Sequence, residues 1–262
     1  MRLIITLLTD FGLSDPFVGI MKGVILGINP EAHLIDLCHG IPSYDLIQAG
    51  FLLKTAYPYF PKGSIHVVVV DPGVGGPRRP IAAFIDGHFF VGPDNGVFSY
   101  LYAPGKVSRV VEITASHYFL HPVSATFHGR DIFAPVAAYL SKGIELRHFG
   151  RFISDYVHLE VPMPKVQGDT LHGEVLVVDK FGNLITNIAA PDLEPFLRKG
   201  GLRVRIGDRE IQGLSAFYAE VEEGELGALV GSTGCLEVFV HRGSAAELLK
   251  VERGTEVVIL VR

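Results

Sequence analysis

The chain has no tryptophan, only two cysteines among 262 residues, and no run of basic residues. Cys38 and Cys235 are far apart in apolar surroundings, so they read as buried small hydrophobes rather than a disulfide or a metal pair. No HExxH or CxxC occurs, and a metal centre needs three or four ligands at a recognisable spacing. Asp36, Cys38 and His39 in DLCHG come nearest, but neighbours on a strand face opposite sides, so no metal and no other cofactor is expected. A net charge of −5 without a Lys/Arg-rich face argues against a nucleic-acid partner. No stretch of about 18 apolar residues occurs, so no membrane span is expected. The start, MRLIITLLTDFG, breaks at Asp10 and shows no cleavage signal, which reads as a first strand. A soluble, reduced, cytoplasmic protein is the expectation.

Apolar residues make up 48% of the chain, enough for a full core and against global disorder. Three acids stand where apolar runs stop: Asp10 ends LIITLLTD, Asp71 ends IHVVVVD, and Asp94 follows HFFVGP. Each is followed by a glycine-bearing turn sequence, DFG, DPGVGG or DNG. The run Val67–Val70 does not alternate, so it reads as a strand buried on both faces. In an open α/β sheet, parallel strands open at their carboxyl ends onto one crevice where ligands bind. Neighbouring parallel strands would therefore bring these acids to one site.

The first part alternates strand and helix. Asp15 as N-cap with Pro16 at the first helical position predicts a helix over FVGIMKGVILGI. Ser43 is placed as N-cap for YDLIQAGFLLKTAY, which stops before Pro58. Asp86-Gly87 between RRPIAAFI and HFFV predicts a hairpin. A helix is expected from Asp131 to Leu140, closed by Gly143, with Asp131 as a candidate N-cap and Arg130 exposed. This alternation argues for a mostly parallel sheet covered by helices. The texture changes near residues 157–172, and afterwards nearly all is short strands, AFYAEV among them, with one short helix at SAAELLKV. That predicts a smaller C-terminal all-β, barrel-like domain. The expected division is 1–165 for an α/β catalytic and substrate-binding domain and 166–262 for a β domain completing a nucleoside site.

Several positions carry candidate chemistry. Asp71 opens DPGVGGPRR, with Arg78 or Arg79 one loop away; the plainer reading is a turn with a surface arginine. The loop lacks the lysine of a P-loop. His128, Arg130 and Asp131 in SATFHGRD would bind and orient a water if they bordered one crevice. Asp179 and Asn183 in VVDKFGNLITN form either a polar turn, with Gly182 at the positive-φ position, or part of a site. Ser232 lies in GSTGCLE, where small residues let backbone amides approach an aromatic base.

Seven segments, in order, resemble the S-adenosylmethionine hydroxide adenosyltransferase family, related to the S-adenosylmethionine-dependent fluorinase and chlorinase. They are LLTDFGLSDPFVGIMKG, DLCHGIPSYDL, VVVVDPGVGGPRR, VGPDNGVFS, TFHGRDIFAP, DKFGNLITNI and GSTGCLEVFV. The resemblance implies a homotrimer with each active site between the N-terminal domain of one subunit and the C-terminal domain of the next. It implies a catalytic set of Asp71, Arg78 and His128, the spacing from DPGVG favouring Arg78 over Arg79. It implies Asp10 as holder of the ribose hydroxyls. Asp15, Asp179 and Asn183 would lie around the methionine end and the nucleoside. Tyr44 would stand over the sugar and sulfonium, where the fluorinase has tryptophan. Ser232 would contact adenine. Asp94 and Asn95 join the substrate-binding set, with the alternative that Asp94 only holds a turn at the pocket wall. The implied reaction is hydrolysis of S-adenosyl-L-methionine to adenosine and L-methionine, the substrate and product being the small-molecule partners. The competing readings are a non-catalytic binder of adenosine or S-adenosylmethionine, a halogenase, and a metal-dependent hydrolase.

Overall fold

Each acid-tipped apolar run forms a strand, and the strands they tip are neighbours. A computed structural model of the chain describes residues 4–102, 105 and 107–261 and divides into two units, Met1–Val161 and Pro162–Arg262. The first unit comprises β1 (Ile4–Thr9), α1 (Phe17–Ile28), β2 (His33–Cys38), α2 (Leu46–Ala56), β3 (Ile65–Val69), β4 (Pro80–Ile85), β5 (His88–Pro93), β6 (Val107–Ile113), α3 (Ala134–Ser141) and β7 (Gly150–Phe152). Its sheet has the order β2-β1-β3-β5-β4-β6-β7. The β1–β2, β1–β3 and β3–β5 pairs are parallel; β4 runs antiparallel to both β5 and β6.

Both faces of this sheet are covered, which is why Val67–Val70 does not alternate. Ile5, Leu7, Val67 and Val69 pack on one side with Met21, Ile25, Phe133 and Ala137 of α1 and the α3 region. Leu8, Val68 and Val70 pack on the other with Ala49 and Leu53 of α2. The Asp86-Gly87 hairpin forms with Ile85 opposite His88, and both turn residues take positive φ, 47° and 79°. Cys38 is only partly buried, because β2 is the edge strand; Cys235 is buried, and the two do not form a disulfide.

Three helix starts differ from expectation. The first α1 bond runs from Ile20 N–H to Pro16 O, so Pro16 is the cap and Asp15 makes no cap bond. Tyr44 has φ 69°, which no helix interior accommodates, so α2 starts later, with the Asp45 carboxylate accepting from Gln48 N–H at 2.8 Å. Asp131 is buried inside a π-turn, Gly129–Phe133, that precedes α3.

The second unit contains β8 (Lys165–Gln167), β9 (Thr170–Val178), β10 (Leu184–Ala189), α4 (Ala190–Leu197), β11 (Arg203–Ile206), β12 (Arg209–Gln212), β13 (Leu226–Val230), β14 (Cys235–Val240), α5 (Ala245–Leu249) and β15 (Glu256–Leu260). The order β12-β11-β15-β9-β10-β14-β13 is antiparallel throughout and nearly barrel-shaped, with β8 paired to β9. The long β9 makes this possible: its first half pairs with β15 and its second with β10. Helix α4, over APDLEPFL, was not expected; Pro191 sits in its first turn, where the missing N–H costs little, and Pro195 lies inside the helix near its end. AFYAEV is no strand. It is exposed, and Tyr218–Glu220 forms a 3-10 turn.

Candidate active site

Strands β1, β3 and β5 end side by side at one edge of the sheet, bringing Asp10, Asp71 and Asp94 there, but the three carboxylates do not face one pocket. Asp10 and Asp71 line a cavity of about 290 Å³ together with Tyr44, His128 and the rings of Phe11, Phe17 and Phe127. Asp94 is buried and turned aside. It accepts from Arg79 Nε at 2.9 Å and Nη2 at 2.6 Å, and from Val157 N–H at 2.8 Å. Asn95 donates to Val70 O at 2.9 Å and accepts from Val97 N–H, fastening the end of β3. Asp15 is exposed and does not line the cavity.

The two consecutive arginines have separate partners. Arg78 donates from Nε to Asp71 Oδ1 at 3.0 Å and from Nη2 to Asp71 Oδ2, while Nη2 also lies 2.7 Å from His128 Nδ1. Arg79 bridges Asp94 and Asp155. Arg78 stands behind Asp71 and His128, its guanidinium 5.5 Å from the centre of the Phe133 ring. Its side chain is 9% exposed and that of Asp71 4%, so this is a buried pair in which each charge depends on the other.

Local sequence explains the meeting of these residues. Gly75 has φ 75°, and a Cβ there would lie 2.1 Å from Ala125 O. The DPGVGG loop therefore rests directly on the loop that carries His128. That second loop is held by Asp131, which accepts from Ser124 N–H at 2.8 Å and takes both Arg130 bonds, at 2.6 and 2.9 Å. Of His128, Arg130 and Asp131, only His128 lines the cavity.

Electrostatics fix the state of His128. Burial first, then the Arg78 charge, push its pKa below the usual histidine value, against the opposing pull of Asp71 and Asp131. The ring is neutral near pH 7. Because Arg78 donates to Nδ1, the ring proton is assigned to Nε2. Asp71 has one lone pair per oxygen left after its two bonds from Arg78.

Tyr44 combines left-handed backbone with high exposure, and its N–H donates to Asp10 Oδ2 at 2.9 Å. Asp10 keeps its other oxygen free of that bond.

The second unit has its own cavity, of about 820 Å³, lined by Asp179, Asn183 and Ser232. Asp179 holds its own turn, accepting from Phe181 N–H at 2.8 Å, Asn183 N–H at 2.9 Å and Asn183 Nδ2 at 3.0 Å. Gly182 takes φ 83° against Ser244, as the polar-turn reading requires. Sequence reasoning missed Phe181, Tyr218 and Glu237 in this lining. Tyr218 donates to Glu237 Oε1 at 2.7 Å. Burial, and then this bond to the carboxylate, push the phenol up to about 12. Glu237 is raised by burial, opposed by the Tyr218 bond and reinforced by the Asp179 charge. A charged residue inside the apolar run CLEVFV was the available signal.

The HxxxH spacing of His117 and His121, passed over in the sequence, lies around a 3-10 turn, where His121 Nε2 bonds Ser116 O at 2.8 Å. No group of three or more His, Cys, Asp or Glu side chains with metal-holding geometry occurs among the described residues. No helix among them is long and apolar enough to cross a membrane.

Comparison with known proteins covers both units. Residues 5–150 match the SAM hydroxide adenosyltransferase N-terminal domain, and residues 173–258 match the C-terminal domain of the same family. An (R)-S-adenosyl-L-methionine hydrolase from Salinispora tropica is 41% identical over 253 residues, 95% of each chain. One of the same name from Thermus thermophilus is 38% identical over 260 residues, 97% of this chain and 98% of the relative. A fluorinase from Nocardia brasiliensis is more distant, 25% identical over 99% of this chain and 97% of its own. The crystal structure of an uncharacterised conserved protein from Thermotoga maritima superposes with a TM-score of 0.92 at 38% identity, covering 98% of this chain and 99% of that one.

Proposed function

The chain belongs to the SAM hydroxide adenosyltransferase family, and from that premise we propose that Asp71, Arg78 and His128 direct a water molecule onto C5′ of S-adenosyl-L-methionine. The protein is an enzyme, an S-adenosyl-L-methionine hydrolase, rather than a halogenase. The observation that carries the residue assignment is the continuous Asp71–Arg78–His128 contact at the wall of the Asp10 cavity.

In the reaction a water oxygen bonds to C5′ as the C5′–S bond breaks. The bonding pair leaves with sulfur, the sulfonium becomes the neutral thioether of methionine, and one proton is released. Thioether is a good leaving group, so no general acid is needed for it. The demand falls on the water. Asp71 is the proton acceptor by its unused lone pairs, and His128 orients the water through Nε2–H. The Arg78 charge behind them favours hydroxide character as attack proceeds. Fixing the water also removes much of the entropic barrier. A halide has no comparable place, because the Asp71 carboxylate would repel it at close range.

Asp10 anchors the ribose hydroxyls, and Tyr44 stands over the sugar and sulfonium. The Asp179, Asn183 and Ser232 cavity takes the nucleoside and the methionine end. The substrate epimer is (R) at sulfur, following the relatives' names. The enzyme uses no metal or other cofactor, acts in the cytoplasm, and assembles as a homotrimer whose sites lie at subunit interfaces. In support, Asp10 and Asp71 line one cavity, Asp179 and Ser232 another. Exposed Leu13, Phe181 and Phe217 leave apolar area for subunit contact.

The direct test is incubation of each sulfonium epimer in oxygen-18 water, with chromatography and mass analysis of products. Label is expected in the adenosine 5′-hydroxyl; its absence sinks water attack. Alanine at Asp71 or His128 is expected to lower kcat by about 10²–10⁴-fold with adenosine still bound. Activity surviving a strong chelator argues against a metal-dependent hydrolase.

A further inference from the structure

The chain of contacts behind the Asp10 loop has no role in the chemistry above. Strand β2 carries a bulge against β1: Leu7 faces Asp36, Leu8 faces Cys38, and Leu37 is the extra residue. Without it Thr9 would run opposite Cys38. With it, His39 comes beside Thr9, as bulges near active sites commonly re-aim a side chain. Thr9 is fully buried and His39 6% exposed.

The hydrogen bonds run in one direction. Phe11 N–H donates to Thr9 Oγ1 at 3.2 Å, and Thr9 Oγ1 lies 2.8 Å from His39 Nδ1. With Nε2 beside the Asp36 carboxylate, the ring proton is assigned to Nε2, and the Thr9 hydroxyl then donates to Nδ1. Nε2 is 2.9 Å from Asp36 Oδ1, a close contact off the line of the ring N–H. Asp36 Oδ2 is held by Lys22 Nζ at 2.6 Å, which ties the set to α1. The main chain adds a second tie, Gly12 N–H to His39 O at 2.8 Å. Asp10 lies between Thr9 and Phe11, the two residues so fastened.

We propose that His39, acting through the Thr9 hydroxyl, is a positioning residue that fixes the aim of the Asp10 carboxylate toward the ribose diol. This rests on the reading of Asp10 as ribose anchor. A carboxylate that must meet two hydroxyls at once depends on its backbone direction, and the Thr9–His39 bond sets that direction from a rigid strand end.

The test uses the full-length protein, steady-state kinetics with S-adenosylmethionine, and calorimetric binding of adenosine and 2′,3′-dideoxyadenosine. In the wild type adenosine binds more tightly, and Asp10→Asn collapses that ratio. Thr9→Val, nearly the same shape, and His39→Ala are expected to shrink the ratio by about tenfold and to raise KM with kcat within about threefold. Thr9→Ser keeps the hydroxyl, and His39→Asn keeps a polar atom at the Nδ1 position; both should hold the ratio within about twofold. His39→Gln, which reaches the Nε2 position instead, should behave like alanine. If Thr9→Val and His39→Ala weaken both nucleosides equally, or leave the ratio intact, positioning is overturned and the network is merely structural. If Asp10→Asn itself leaves the ratio intact, the ribose anchor falls, and this proposal with it.

Discussion

His128 is the residue whose state can be read most directly. Burial and the neighbouring Arg78 charge lower its pKa, so its NMR titration midpoint should lie below 6.5. If neutral His128 is the working form, the acid limb of kcat/KM follows the same midpoint. Arg78→Gln removes the cation and leaves the pull of Asp71 and Asp131, so the midpoint should rise. A midpoint that stays put would mean Arg78 does not set the ring's state. The same variant leaves Asp71 buried without its partner, a loss of about 3–5 kcal/mol measurable by urea unfolding.

Among elements, the docking of two loops is the tightest requirement. Gly75→Ala meets both a positive φ and the Ala125 carbonyl, so the DPGVGG loop must lift. Turnover should fall steeply while the circular dichroism of the fold is kept; normal turnover would show that Arg78 and His128 need no such docking. The strands of the first unit offer a second prediction. His66 and His88 are fully buried, with Thr6 Oγ1 2.8 Å from His66 Nδ1 and His66 Nε2 3.3 Å from His88 Nδ1. Burial, and then the neighbouring His88, lower His66 to about 3. Between there and the unfolded value near 6.5 the unfolded chain binds more protons. Stability is therefore full above pH 6.5 and declines as pH falls, by up to about 1.4 kcal/mol per unit for this group. His66→Asn, which keeps a polar atom for Thr6, should flatten that slope between pH 6.5 and 4.5 in thermal melts.

The same elements show what the sequence made legible. Val67–Val70 was readable as doubly buried because an unbroken apolar run has no solvent face. Asp86-Gly87 was readable because only such pairs take the hairpin's positive φ. Helix α4 was not, because it is short and holds two prolines, Pro191 in its first turn and Pro195 inside it. Asp10 and Asp71 were legible at strand ends, but the turning away of Asp94 was not, since Arg79 and Val157 reach it from distant parts of the chain. Tyr218 and Glu237 were hidden because their pairing joins a turn to a strand nineteen residues on.

For the whole molecule, the proposed trimer predicts complementation. A subunit carrying Asp71→Asn and one carrying Asn183→Ala each lack one group of the site. Mixed by co-unfolding and refolding, they should regain activity in those sites that combine two intact parts. No recovery, with mixed trimers shown by native mass spectrometry, would place each complete site within one chain.

Arg78 and Arg79 precede β4, which runs opposite to β3 and β5, so the chain re-enters the sheet at the edge where those strands end. Side chains of consecutive residues point apart, which sends one arginine to Asp71 and the next to Asp94. The division of labour is thus written in parity. Asp94 N–H donates to Arg79 O at 2.8 Å, and Pro80 pairs with Pro93, so the register of β4 itself decides which acid each arginine meets.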